Sequence, residues 1–422
     1  MRHGLSAFVA LLVLFCVGPA STSIGQTMTE FNIPTSYGDP YLITLGGDGN
    51  LWFTESDGQK IGNVTTSGVF TEFTIPTSGA SPQGIILGPD GGLWFTEFNG
   101  NKIGRINATG VISEFSVPTS SSLPDQITVG PDGSLWFSEI GINKIGRITT
   151  SGGITEFSIP TPNSAPSGIT SGPDGNIWFT EWNADKIGRI TPSGVFTEFP
   201  IPTAGAAPLC IVSGADGNLW FTEYWSNKIG RVTSAGTFNE FAISTTNGFR
   251  GPFAIAFGPD GNIWFTEFDG NNIGRMTTAG ILTEFSIPTP DSGPVGIASG
   301  PDGNIWFAEW SFGNKIGRVN LSSIVPTIAL TPANVSLRVG QSTTLTITLS
   351  LPESYAVNVT VSSSNPTALS VPATVTIPVG AISASFPVSG LTRGLATVTV
   401  LLPISLGGAS ATSNVRVWPH FP

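Results

Sequence analysis

Between residues 27 and 320 the chain alternates apolar and polar positions in short runs separated by Gly, Asn, Asp and Pro. Alternation with a period of two, bounded by turn residues, predicts half-buried strands joined in hairpins. No stretch of this region sustains a helical period. The runs themselves recur: Trp52, Trp94, Trp136, Trp178, Trp220, Trp264 and Trp306 lie 42 residues apart, with one step of 44 between Trp220 and Trp264. In the fourth copy the strand-like pieces are "SGITSG" (167–172), "NIWFTE" (176–181), "KIGRIT" (186–191) and "FTEFPIP" (196–202). Four short strands repeated at this period predict propeller blades, because one sheet cannot bury both faces alone and neighbours in a ring can. The expected fold is all-β, with a seven-bladed β-propeller as its main body.

An outer "EF" strand carries Glu30, Glu72, Glu114, Glu156, Glu198, Glu240 and Glu284. Its first copy precedes the first repeated Trp, and none follows the last "KIGRVN" (315–320). The N-terminal "TEFNIP" (29–34) is therefore expected to complete the seventh blade and remove an exposed sheet edge. Past Asn320 the composition turns to Ser, Thr and Val, and residues 327–422 hold one acidic residue, Glu353. Runs such as "VSLRVGQSTTLTITLS" predict a β-sandwich that resembles bacterial Ig-like modules in pattern. The domains expected are a propeller over 27–320, a linker over 321–326 and a sandwich over 327–422.

Charge narrows the function. The net charge is −11 and 11% of residues are charged. Nucleic acid and anionic membranes call for a basic surface, which this chain lacks. At the N-terminus Arg2 precedes an apolar run over 7–17 and then small residues, which predicts a secretory signal peptide over 1–23. That run is too short to span a bilayer. A secreted, periplasmic or cell-surface monomer is expected. Cys16 follows Phe15, where a lipoprotein signal would place a small residue. The remaining cysteine, Cys210, is expected to be a buried apolar thiol, which excludes an intrachain disulfide framework and a multi-Cys zinc site.

Strand order fixes which loops share a face. The "GPDGN" and "T.SG" turns are monotonous and share one face. The opposite face carries the pieces that vary: "SDGQ", "FNGN", "IGIN", "WNAD", "YWSN", "FDGN" and "WSFGN". Varied loops on a uniform scaffold are where function usually sits. The expected ligand-binding residues there are Trp182, Tyr224, Trp225, Phe268, Trp310 and Phe312. The longer crossover "STTNGFRGPF" adds Phe249, Arg250 and Phe253. Flat aromatics with a few carboxylates suit sugar rings or the apolar face of a cyclic peptide. The glutamates ending each "WFTE" are expected to pair with the "NKIGR" lysines or with backbone. Asp125 and Tyr41, each following the Pro that opens an inner strand, border the central opening and are the candidate catalytic residues.

The motifs "GPDGNLWFTE", "NKIGRIT", "ITEFSIPTP" and "SGPVGI" make residues 27–320 resemble the virginiamycin B lyase, or streptogramin lyase, family. The resemblance implies a seven-bladed propeller that opens the ester ring of type B streptogramins by elimination, with a magnesium ion. It also implies histidines after the Pro of the sixth and seventh inner strands, one acting as general base. Those positions here are Phe253 and Val295, and the glutamate expected before the seventh Pro is Gly293. The only histidines are His3 and His420. Two readings follow. One is a propeller that binds a glycan, peptide or other small ligand without the catalytic histidines. The alternative is a C–O lyase or lactone hydrolase acting on a streptogramin B-like cyclic ester with a divalent metal.

Overall fold

The computed structural model describes residues 28–419 apart from 244–247, 322, 323, 325, 352, 354, 355, 404, 405 and 407. The segment expected to be a signal peptide, with His3 and Cys16, lies outside the described residues, as does His420.

Seven antiparallel four-stranded sheets lie between Met28 and Val319. Their inner strands begin at Pro40, Pro82, Pro124, Pro166, Pro208, Pro252 and Pro294, and each packs beside the next until the last returns to the first. The ring closes through the N-terminus. Strand Met28–Asn32 pairs antiparallel with Lys315–Val319 and forms the outer edge of the seventh sheet.

One constellation explains why the phrase repeats. Each repeated Trp donates its indole N–H to the turn Asp four residues earlier, at 3.0 Å in Trp52–Asp48 and 2.9 Å in Trp178–Asp174. In five of the blades the same Asp pairs with the Arg that follows "IG", as in Arg105–Asp90 at 2.6 Å. The outer Phe then stacks on the Trp, with ring centroids 5.4 Å apart in Trp178–Phe199. The turn aspartate is thus a bridge between the hairpin and the packed aromatic layer.

The glycine of "KIG" is a steric requirement. A Cβ at Gly188 would lie 2.1 Å from Cζ of Phe179, whose ring is fully buried. We expect Gly188→Ala to cost at least about 2 kcal/mol, because the ring has no void to move into. Urea unfolding checks this, and an unchanged midpoint would refute it.

Beyond the propeller, two sheets face each other across an apolar core that includes Leu345, Ile347, Val359 and Val398. One has four strands and the other five, with Asn334–Arg338 lying parallel to Ser410–Trp418. This β-sandwich touches the sixth blade. Its single acid, Glu353, lies 3.7 Å from Arg275, and a Cβ on Gly380 would meet Ala279 and Ile281.

Candidate functional site

The mouth of the propeller is shaped by a bulge repeated in all seven blades. In each inner strand the pairing slips by one residue after the opening Pro; Pro124 opposes Glu139, whereas Ile127 opposes Phe137. An extra residue in one strand re-aims the side chains beside it. Here it places the residue after each Pro at the central opening: Tyr41, Gln83, Asp125, Ser167, Leu209, Phe253 and Val295 all line one cavity.

A hydroxyl relay locks these positions. The bulge takes a backbone N–H out of register, and the Thr or Ser of the "WFTE" phrase accepts it. Thr96 Oγ1 accepts from the Gly84 N–H at 2.8 Å and donates to the carbonyl of Asp125 in the next blade at 2.6 Å. Ser138 repeats this between Gln126 and Ser167. The seventh blade has Ala308 at this position and no such hydroxyl.

Above this floor, the residue following each "WFTE" glutamate forms a second tier. Phe98, Ile140, Trp182, Tyr224, Phe268 and Trp310 line the cavity with Trp225, and its volume is about 540 Å³. The first blade has Ser56 there, and its hydroxyl donates to the Asp39 carbonyl instead. The floor is divided. Tyr41, Gln83, Asp125 and Ser167, from four successive blades, form a polar arc, and Leu209, Phe253 and Val295 form an apolar one.

Asp125 is 6% exposed and accepts a hydrogen bond from Ser167 Oγ at 2.7 Å. Burial pushes its carboxyl up to about 6, and the Ser167 bond partly offsets that. Burial, followed by the charge of Asp125, holds the Tyr41 phenol well above its ordinary value. Burial likewise pushes the Cys210 thiol up to about 12, and Gln126 Nε2 lies 3.0 Å from its sulfur. The thiol is buried, as its apolar strand suggested.

Among the residues expected to bind ligand, Trp182, Tyr224, Trp225, Phe253, Phe268 and Trp310 line the cavity together with Tyr41 and Asp125. Phe249 stands at the rim, stacked on Trp225 with centroids 5.7 Å apart. Phe312 is 82% exposed and does not line the cavity. Arg250 is buried and faces Glu284 at 3.3 Å and Glu267 at 3.7 Å. The sixth blade reads "NNIGR", with Asn272 where other blades have Lys, so Arg250 supplies the missing cation. That substitution was the available signal that Arg250 faces these two glutamates. Gln83, Ile140 and Ser167 join the lining by position in the repeat, although none is aromatic.

The expected pairing of the "WFTE" glutamates with lysine does not occur. The lysines reach the outer-strand glutamates, as in Lys60–Glu72 at 2.7 Å and Lys144–Glu156 at 2.9 Å. The outer glutamate also accepts the backbone N–H of a Thr in the preceding crossover. Glu55, Glu97, Glu139, Glu181 and Glu309 are fully buried, and neither carboxyl oxygen of any of them has a hydrogen-bond partner among the described residues. An ion pair with the outer acid keeps the lysine partly solvated, whereas the inner acid would require a desolvated pair.

The mouth does not fit a resident magnesium ion. It offers one carboxylate, already bonded to Ser167, and no group of three His, Cys, Asp or Glu side chains suited to a metal exists among the described residues.

Comparison with known proteins places this geometry. A family model described as "Virginiamycin B lyase family" matches residues 20–264, 169–335 and 248–385. A virginiamycin B lyase of Bacillus licheniformis is 46% identical over 41 residues, which span 10% of this chain and 14% of that protein. A solved streptogramin B lyase is 41% identical with a TM-score of 0.66, covering 69% of this chain and 96% of that one. A virginiamycin B lyase from Staphylococcus aureus is 42% identical with a TM-score of 0.66, covering 69% and 98%. A further Staphylococcus aureus structure with the same values is described as a catalytically inactive histidine-to-alanine variant with quinupristin.

Proposed function

The chain belongs to the virginiamycin B lyase family, and from that membership we propose that its propeller is a ligand-binding member. In this reading the mouth holds a small ring-bearing molecule, such as a cyclic peptide or a glycan, without histidine-based elimination. The signal-peptide pattern supports a place outside the cytoplasm. The observation that carries the reading is the floor of the cavity. The two positions at which the resemblance implies histidines are Phe253 and Val295, both on its apolar arc. Elimination needs a base to take a proton from the carbon next to a carbonyl while the C–O bond breaks and a double bond forms. Neither side chain can accept a proton. The aromatic upper tier and the cavity volume suit a ligand with apolar ring faces.

One observation favours the alternative of a C–O lyase or lactone hydrolase. Asp125 is held at about 6, close enough to neutrality for a carboxylate to serve as base. Incubating the chain with a type B streptogramin separates the readings by liquid chromatography with mass detection. The expected result is intact antibiotic at high protein concentration. A product of unchanged mass and shifted retention would be elimination, and a gain of one water would be hydrolysis; either would overturn the binding-only reading.

A further inference from the structure

We propose that the cavity selects an organic cation: a ligand whose apolar body carries one ammonium group directed at Asp125. The inference rests on the reading of the mouth as a ligand site and adds the chemistry of what it takes. Three observations converge on it. The first is the sign of the charge. Asp125 is the single carboxylate among the lining residues, and no Lys or Arg lines the cavity. An anionic ligand would find no counter-charge there, and it would meet the field of a protein with a net charge of −11.

The second is the state of Asp125 itself. It is nearly buried and receives one hydrogen bond from Ser167, and no cationic side chain among the described residues forms an ion pair with it. A buried carboxylate without a counter-ion is costly, and the cost is relieved by a cation that arrives with its own hydrogen-bond donors or its own positive surface. Glu267, by contrast, has Arg250 beside it within the protein. Asp125 faces a cavity instead.

The third is the wall. Trp182, Tyr224 and Trp225 form one aromatic cluster, with centroids 5.0–6.5 Å apart. Phe253, Phe268 and Trp310 form a second across successive blades, with tilted pairs at 5.9 Å. All six of these side chains line the cavity. Aromatic faces attract a cation through their quadrupole, most strongly when it is desolvated. Aromatic walls with one carboxylate at the floor, and an apolar arc opposite it, fit an amine or quaternary ammonium on a hydrophobic frame.

Benzyltrimethylammonium and its uncharged isostere neopentylbenzene test this, titrated against the full chain and followed by tryptophan fluorescence and calorimetry. The expected result at pH 8 is at least tenfold tighter binding of the ammonium. In Asp125→Asn that preference should fall to about threefold or less, with the neutral probe unaffected. Trp182→Ala, at the rim, should weaken the ammonium more than the isostere. Lowering the pH through about 6 should weaken the ammonium alone, because Asp125 protonates there. Of the groups facing it, Tyr41 and Cys210 stay protonated throughout this range, and Ser167, Gln83 and Gln126 carry no charge. Equal binding of the two probes by the unmodified chain would overturn the cation inference and leave the cavity a ligand site. Failure of both probes at millimolar concentration would overturn the inference and count against the cavity reading as well.

Discussion

Removing residues 28–34 is expected to lower the stability of the propeller by about 4 kcal/mol or more, and a peptide of the sequence MTEFNIP added in trans should restore part of the loss. The strand Met28–Asn32 supplies five register pairs to Lys315–Val319. Phe31 stacks on Trp306 at 5.5 Å and 12°, and Arg318 lies over the same Phe ring. Glu30 accepts from the backbone N–H and the hydroxyl of Thr289, and pairs with Lys315 at 3.1 Å. These bonds tie positions 259 and 285 residues apart in sequence, so they close the ring where no covalent link does. Truncating one stacked Phe costs a few kcal/mol on its own, and losing the whole strand also bares the edge of Lys315–Val319. An added peptide can refill that edge by strand addition.

The comparison that isolates closure is Phe31→Ala against Phe157→Ala. Phe157 makes an equivalent stack on Trp136 at 5.4 Å, in an outer strand held by chain on both sides. Phe31 lies in a strand that no hairpin joins to its partner Lys315–Val319, so its truncation lets the strand peel and should cost more. Equal losses in the two variants, with no rescue by the peptide, would mean that the seventh blade holds without its terminal strand.

Much of this was legible from period alone. The seven Trp positions, the Asp-Gly turns and the outer glutamates fixed the blades, because packing between neighbouring sheets demands the same residues in each copy. The floor of the mouth was also legible: the residue after each inner-strand Pro was identified by alignment of the copies, and Asp125 emerged as the odd one out. The bulge that aims these residues inward was not legible, since it is a slip in pairing and changes no residue type. The lysine partners were misjudged for a related reason. Glu55 and Glu72 share a face of the sheet with Lys60, because Lys60 opposes Glu55 directly and Glu72 is its diagonal neighbour across the other strand. Sequence offers both acids equally; solvation decides between them. The lysine and Glu72 side chains keep 27% and 14% of their exposure, while Glu55 is fully buried.

That choice leaves a belt of seven inner carboxyls, and it makes the stability of the propeller fall as pH rises. Burial, then the charge of the neighbouring outer glutamate, pushes Glu55 up to about 7 and Glu97, Glu139, Glu181 and Glu309 up to about 8. Glu223 and Glu267 move the same way. An acid whose folded value lies above its unfolded one binds more protons in the native state between the two. Its contribution is complete below about 4.5 and is lost as pH rises through 7 to 8. The outer glutamates Glu72, Glu114, Glu156 and Glu198 move the opposite way, lowered by hydrogen bonds from Lys and Thr despite burial. Their contribution is present above about 4.5 and is lost as pH falls below it. The two sets together place maximal stability near pH 5, with a decline toward pH 9. If each inner carboxyl contributed only about 1 kcal/mol, seven would lower Tm by roughly 10 °C or more across that range. Thermal unfolding at pH 5, 7 and 9 measures the slope, and Glu139→Gln assigns it. The amide keeps the shape and removes the titration, so this variant should gain on the unmodified chain at pH 9 and lose that gain at pH 5. A stability that rises between pH 5 and 9 would overturn the assignment to the inner carboxyls, and an identical slope in Glu139→Gln would show that Glu139 does not titrate in this range.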